Sequence, residues 1–180
     1  MTVQKASFSA VARMILTAVY TFAAVIMQCS MFPHLRLFGV IPELVLCMIV
    51  CVSCFENEKF CCVLAVCAGF LLDTAGGDLY TFSPVIFLLA ACLSIVISKR
   101  VFSRKLIPAS ISAAAALTAG AAKTYIILLG SGAPALPALL NTALPQLLYG
   151  AIIFMPVFLL TALHHRIFRE KNDQVRKFAR

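Results

Sequence analysis

The chain has 180 residues, of which 62% are hydrophobic and 12% charged, with a mean hydropathy of +1.00. A soluble domain carries about 25% charged residues, so this composition excludes a soluble enzyme domain, a disordered chain and a disulfide-stapled secreted module. The net charge is +8, but the basic residues sit at the ends of apolar runs. That placement serves membrane topology and anionic headgroups rather than nucleic acid, for which no basic stripe with interleaved aromatics exists.

Six apolar runs predict an all-α, six-helix transmembrane bundle over 1–165. The helices are expected at about 14–32, 41–55, 60–73, 84–98, 107–129 and 136–163, followed by a basic tail over 166–180. A spanning helix needs about 20 residues. The first, fifth and sixth runs are long enough, whereas the second, third and fourth are short and read as tilted, broken or re-entrant. A barrel would alternate apolar and polar residues, and these runs do not.

The first run begins after Lys5 and Arg13 and shows no small-residue cleavage pattern before Cys29, so it reads as a retained helix rather than a removed signal. With six spans, one side of the membrane receives Lys5, Arg13, Lys59, Lys99, Arg100, Arg104, Lys105 and the basic residues from Arg166 to Arg180; the other receives only Arg36. The positive-inside rule then places both termini in the cytoplasm, beside an anionic inner leaflet. The tail reads equally as an interfacial helix or as an extension of the last span.

The eight cysteines include Cys51-x-x-Cys54 near the end of the second run and Cys61-Cys62 at the start of the third. Four thiolates there would suit zinc. Adjacent cysteines diverge on a helix, however, and cysteine in an apolar helix usually packs as a small hydrophobe. No metal or cofactor is expected. His164 and His165 lack further ligands beside them, and no nucleophile–base pair or phosphate loop is present. The chain therefore reads as non-enzymatic.

Intramembrane charge is more telling, because it costs about 2.5–3.5 kcal/mol at mid-bilayer on insertion scales. Lys123 lies six residues, roughly 9 Å, inside the end of the fifth run. Glu43 opens the second run and Asp73 closes the third at a similar level, so Lys123 reads equally as paired with Asp73 or Glu43 or as snorkelling outward on its own stem. Ser112, Ala116 and Gly120 recur every four residues along one face of the fifth run. Such small-residue faces let helices approach closely, within the bundle or against a partner. Gly69-Phe-Leu-Leu-Asp73 leads into a turn containing Gly76, Gly77 and Asp78.

In combination these stretches resemble MreD, the small integral membrane protein of the bacterial rod system, or elongasome. The likeness runs from about Ile15 to Phe168. Gln28-Cys-Ser30 closes the first helix, Gly39-Val-Ile-Pro42-Glu43-Leu44 opens the second, and Gly69-x-x-x-Asp73 precedes the glycine-bearing loop. Asn141 at the start of the last helix also fits. The chain departs from the family at Tyr80-Thr-Phe82-Ser83-Pro84, where a glycine is common, and in carrying Lys123.

The resemblance implies a non-catalytic scaffold for lateral peptidoglycan synthesis and cell shape, built like the substrate-capture subunits of energy-coupling-factor transporters. Its implied partners are an MreC-like protein, the actin-like MreB, a RodA-type glycosyltransferase and a class B penicillin-binding protein. Gln28, Pro42, Glu43, Gly69, Asp73, Gly76, Ser112, Ala116, Gly120, Lys123 and Asn141 are the candidate partner-binding or structural residues. The alternative is a vitamin-carrier subunit of an energy-coupling-factor transporter. Against it, the first helix lacks an Ala-x-x-x-Ala pattern: Ala18 is followed by Phe22, and Ala23 by Met27.

Overall fold

The computed structural model describes residues 2–31, 34, 40–76, 82–100, 106–130, 132 and 134–178, with side chains described for most of those between 11 and 167. Gly39, Gly77, Asp78, Tyr80, Thr81, Arg36 and the loop residues Arg104 and Lys105 lie outside the described residues. So do the side chains of the tail beyond Ile167.

The elements in order are α1 (Thr2–Ser30), α2 (Leu44–Ser53), α3 (Glu58–Gly76), α4 (Ser83–Arg100), α5 (Leu106–Gly130), α6 (Ala135–Ala138), a π-helical stretch (Leu139–Ala143) and α7 (Leu144–Phe178). No strand occurs among the described residues. Within this set, five segments are long and apolar enough to cross a membrane: Val11–Ser30, Glu58–Gly76, Ser83–Arg100, Ile107–Gly130 and Leu139–Ile167.

Several ends differ from the sequence expectation. α1 begins at Thr2, and α3 and α4 extend beyond 60–73 and 84–98 to 19 and 18 residues, both spanning length. The charged residues Glu58, Lys59, Lys99 and Arg100 fall within these helices. Polar residues end a hydropathy run at the membrane surface but leave backbone hydrogen bonding free to continue. The backbone of α7 is one helix through Phe178, so the tail continues the last span.

α2 is the exception, with only ten residues, roughly 15 Å of rise or half a hydrocarbon slab. Every one of its residues from Val45 to Ser53 except Met48 is buried, and α1, α3, α4, α5 and α7 all touch it. It forms the axis of the bundle, and its continuous apolar sequence suits burial on all sides. It begins after Pro42, with Cys47 N–H donating to Glu43 O at 3.2 Å, and ends in a turn where Phe55 and Glu56 N–H both donate to Val52 O. Asn57 Oδ1 then accepts from Lys59 N–H, opening α3.

The core around α2 comprises Val45, Leu46, Ile49 and Val50 packed by small residues, including Ala65, Ala68, Ala90, Ala91, Ala109, Ala113 and Ala116. Small residues allow close helix approach where lipid supplies no hydrophobic drive. The outward surface is apolar too: Ile15, Val19, Phe22, Val63, Phe70, Leu89, Ile126, Ile152 and Leu159 are all exposed. A surface of this kind needs a hydrocarbon solvent.

The two ends of the bundle differ. Arg13 Nε pairs with Glu56 Oε1 at 2.7 Å, and Lys99 Nζ pairs with Glu58 Oε1 at 2.5 Å. The His165 ring packs on Phe55, and that of His164 meets Tyr20 edge-on. This is the basic end. The opposite end holds Gln28, Glu43, Asp73, Lys123 and Gln146.

Candidate functional site

A polar cluster gathers at the end of the bundle opposite the basic one, with a residue from each of the six longer helices. Its centre is the start of α2. A helix start presents amide N–H groups with no intrahelical acceptor, and Glu43 stands at that position without capping its own helix. The cap comes from α1: Gln28 Oε1 accepts from Val45 N–H at 2.8 Å. The Glu43 carboxylate turns outward from α2 instead. Its Oε1 accepts from Gln146 Nε2 of α7 at 2.8 Å, and the carboxylate lies against Gly120 of α5. The positive end of the α2 dipole favours an acid here.

Gly120 is what allows that approach. A Cβ built there would overlap the carboxylate, with Glu43 Cδ at 2.6 Å. Gln146 is 6% exposed, and its Oε1 has no hydrogen-bond partner.

A second branch joins α3, α4 and α5. Asp73 Oδ2 accepts from Ser83 N–H at 3.2 Å, holding the start of α4. Ser83 Oγ accepts from Lys123 Nζ at 3.3 Å. Lys123 therefore reaches Asp73 through Ser83, while its charge also lies within electrostatic range of Glu43. Gly69 sets the spacing of α3 and α4: a Cβ there would sit 2.5 Å from Pro84 Cα. Phe82, just before α4, has φ of 50°, a left-handed conformation uncommon outside glycine.

Of the remaining candidates, Pro42 borders the cluster. Ser112 and Ala116 are buried on the same face of α5 as Gly120, and Ser112 Oγ donates to Pro108 O at 2.8 Å. That face packs within the bundle. Pro42 is fully buried beside Glu43. Gly76 ends α3 with open space around its Cβ direction. Asn141 lies exposed in the π-helical stretch, away from the cluster.

Gln146 and Ser83 were not singled out by the sequence motifs. For Gln146 a signal exists: with Asn141 it is one of two amides in the long apolar run from Leu139 to Leu163, and a polar side chain at such a position needs a partner. Ser83 had no comparable mark.

Cys47, Cys51, Cys54 and Cys61 are buried in the bundle, whereas Cys67 and Cys92 are exposed. Cys47 Sγ donates to Gly150 O at 3.7 Å and Cys61 Sγ to Val52 O at 3.8 Å. Among the described residues, no group of three or more His, Cys, Asp or Glu side chains is placed to hold a metal ion.

An all-α bundle with five spanning-length apolar helices, a buried half-helix and an apolar exterior defines a multi-pass membrane protein. Comparison with protein-family models, curated proteins and solved structures returns no match.

Proposed function

We propose that this chain is a non-catalytic membrane scaffold of an MreD-like kind, organising lateral cell-wall synthesis from the bacterial inner membrane with both termini in the cytoplasm. One observation carries the reading. The three stretches that resemble the family converge on one place: Gln28 caps α2, Pro42 and Glu43 begin it, and Gly69 with Asp73 fixes α4 beside it. The cluster joins helices to one another, as expected of a rigid frame that presents its outer faces to partners.

The partners of this scaffold are an MreC-like protein and, through it, MreB, a RodA-type glycosyltransferase and a class B penicillin-binding protein. The gathering of Arg13, Lys59, Lys99, Arg100 and Arg166 at one end supports the cytoplasmic assignment of that end. The carrier reading has less support, because the spanning part of the first helix lacks the Ala-x-x-x-Ala pattern: Ala18 is followed by Phe22, and Ala23 by Met27.

Depletion in the native host tests the proposal. A scaffold of the rod system predicts that cells lose their elongated shape and that lateral wall incorporation stops. Normal shape with loss of uptake of one vitamin would instead establish the carrier.

A further inference from the structure

A groove opens between α1 and α7, with one face of α2 as its floor. Between α1 and α7, a cavity of about 400 Å³ runs along α2 from Leu44 to Val52, roughly 12 Å of helix rise. Met27 and Ala23 line one side, with Ile153, Pro156 and Leu160 on the other. Thr17, Tyr20, Thr161 and His164 close it towards the basic end. Its size falls in the range of ligand cavities. Its lining has no charged group, so it favours hydrocarbon over water or a polar solute.

We propose that this groove binds one acyl chain of an anionic phospholipid from the leaflet at the basic end. The chain lies along α2 between α1 and α7, and the headgroup rests beside His164 and Tyr20. Two observations combine here. The groove is apolar along its length, and the end at which a headgroup would sit is basic. Among described side chains, that end carries Arg13, Lys59, Lys99, Arg100 and Arg166 against the acids Glu56 and Glu58. An anionic headgroup matches that excess of positive charge. The seated chain would cover the half-buried side chains of Leu44 and Met48. The inference is independent of the scaffold reading, because it concerns the bilayer rather than a protein partner.

The chain has no tryptophan, so a single introduced tryptophan reports its own surroundings. Tyr20→Trp places the probe in the groove, and Val19→Trp places it on the exposed outer face of α1. Each variant is reconstituted in phosphatidylcholine vesicles containing a fixed fraction of brominated-chain phosphatidylglycerol or, in parallel, brominated-chain phosphatidylcholine. The expected result is a roughly fivefold preference for the anionic quencher at position 20, the effect of about one added basic contact, with no preference at position 19. Equal quenching by the two lipids at position 20 would overturn the proposal. So would absence of quenching there while position 19 is quenched, the result expected if a protein segment fills the groove. Met27→Trp reads the same groove from its other half if Tyr20→Trp does not fold.

Discussion

The carboxylate of Glu43 occupies the space that a side chain at position 120 would need. Gly120 thus lets an acid from the start of α2 reach Gln146 across α5 and α7. Gly120→Ala gains up to about 1 kcal/mol of helix propensity, but the overlap forces the carboxylate off its donor. Overpacking costs about 1–3 kcal/mol, and a lost buried hydrogen bond about 1–3 kcal/mol more. The net expectation is a loss of stability of about 2 kcal/mol, read by denaturant titration in detergent. Gly120→Ala combined with Glu43→Ala should lose less than the two single losses added, because one space is contested.

Gly69 and Gly76 lie on the same helix with opposite tolerances. Gly69 faces the backbone of Pro84, which cannot yield as a side chain tip can, so Gly69→Ala must push α3 and α4 apart. A loss of about 2–3 kcal/mol is expected. Gly76 faces open space, and Gly76→Ala should change stability by no more than about 0.5 kcal/mol. Paired thermal-aggregation curves in detergent separate the two.

The ion pairs at the basic end differ in burial, and so in consequence. Glu56 is 3% exposed and Arg13 20%, whereas Lys99 and Glu58 are mostly exposed. Removing one partner of a buried pair strands the other charge and costs about 3 kcal/mol; an exposed pair contributes about 0–1 kcal/mol. Arg13→Ala is therefore expected to reduce stability severely and Lys99→Ala marginally. Adding salt should weaken the Lys99–Glu58 pair more than the Arg13–Glu56 pair.

The alternating course of the helices fixes a topology that reporters can read. A fluorescent protein fused after Arg180 should fluoresce, since it folds in the cytoplasm. Alkaline phosphatase inserted at Gly132 should be active, since it folds outside. The reverse pattern at either site would contradict the cytoplasmic placement of the basic end.

The helices were legible because apolar runs of spanning length leave few alternatives in a bilayer. The second run read as short and is shorter still as α2, but the third and fourth runs read as short too and are helices of spanning length. The true ends of α3 and α4 were not legible, because charged residues at the membrane surface continue a helix without signalling it. Glu43, Asp73 and Lys123 announced themselves as costly charges within apolar sequence. Their connections were hidden: Lys123 donates to the hydroxyl of Ser83, whose backbone N–H donates to Asp73, and Glu43 bonds to an amide 103 positions away. Pairings of that kind depend on how the helices pack, which a run of apolar residues does not encode.

The central claim is that a rigid bundle serves as a docking scaffold for wall-building proteins. The direct measurement is affinity purification of a tagged chain from its native membrane in mild detergent, with mass spectrometry of what co-purifies. A docking scaffold should bring down an MreC-like protein together with cell-wall synthases. Recovery of paired ATPases with a coupling membrane subunit would contradict it.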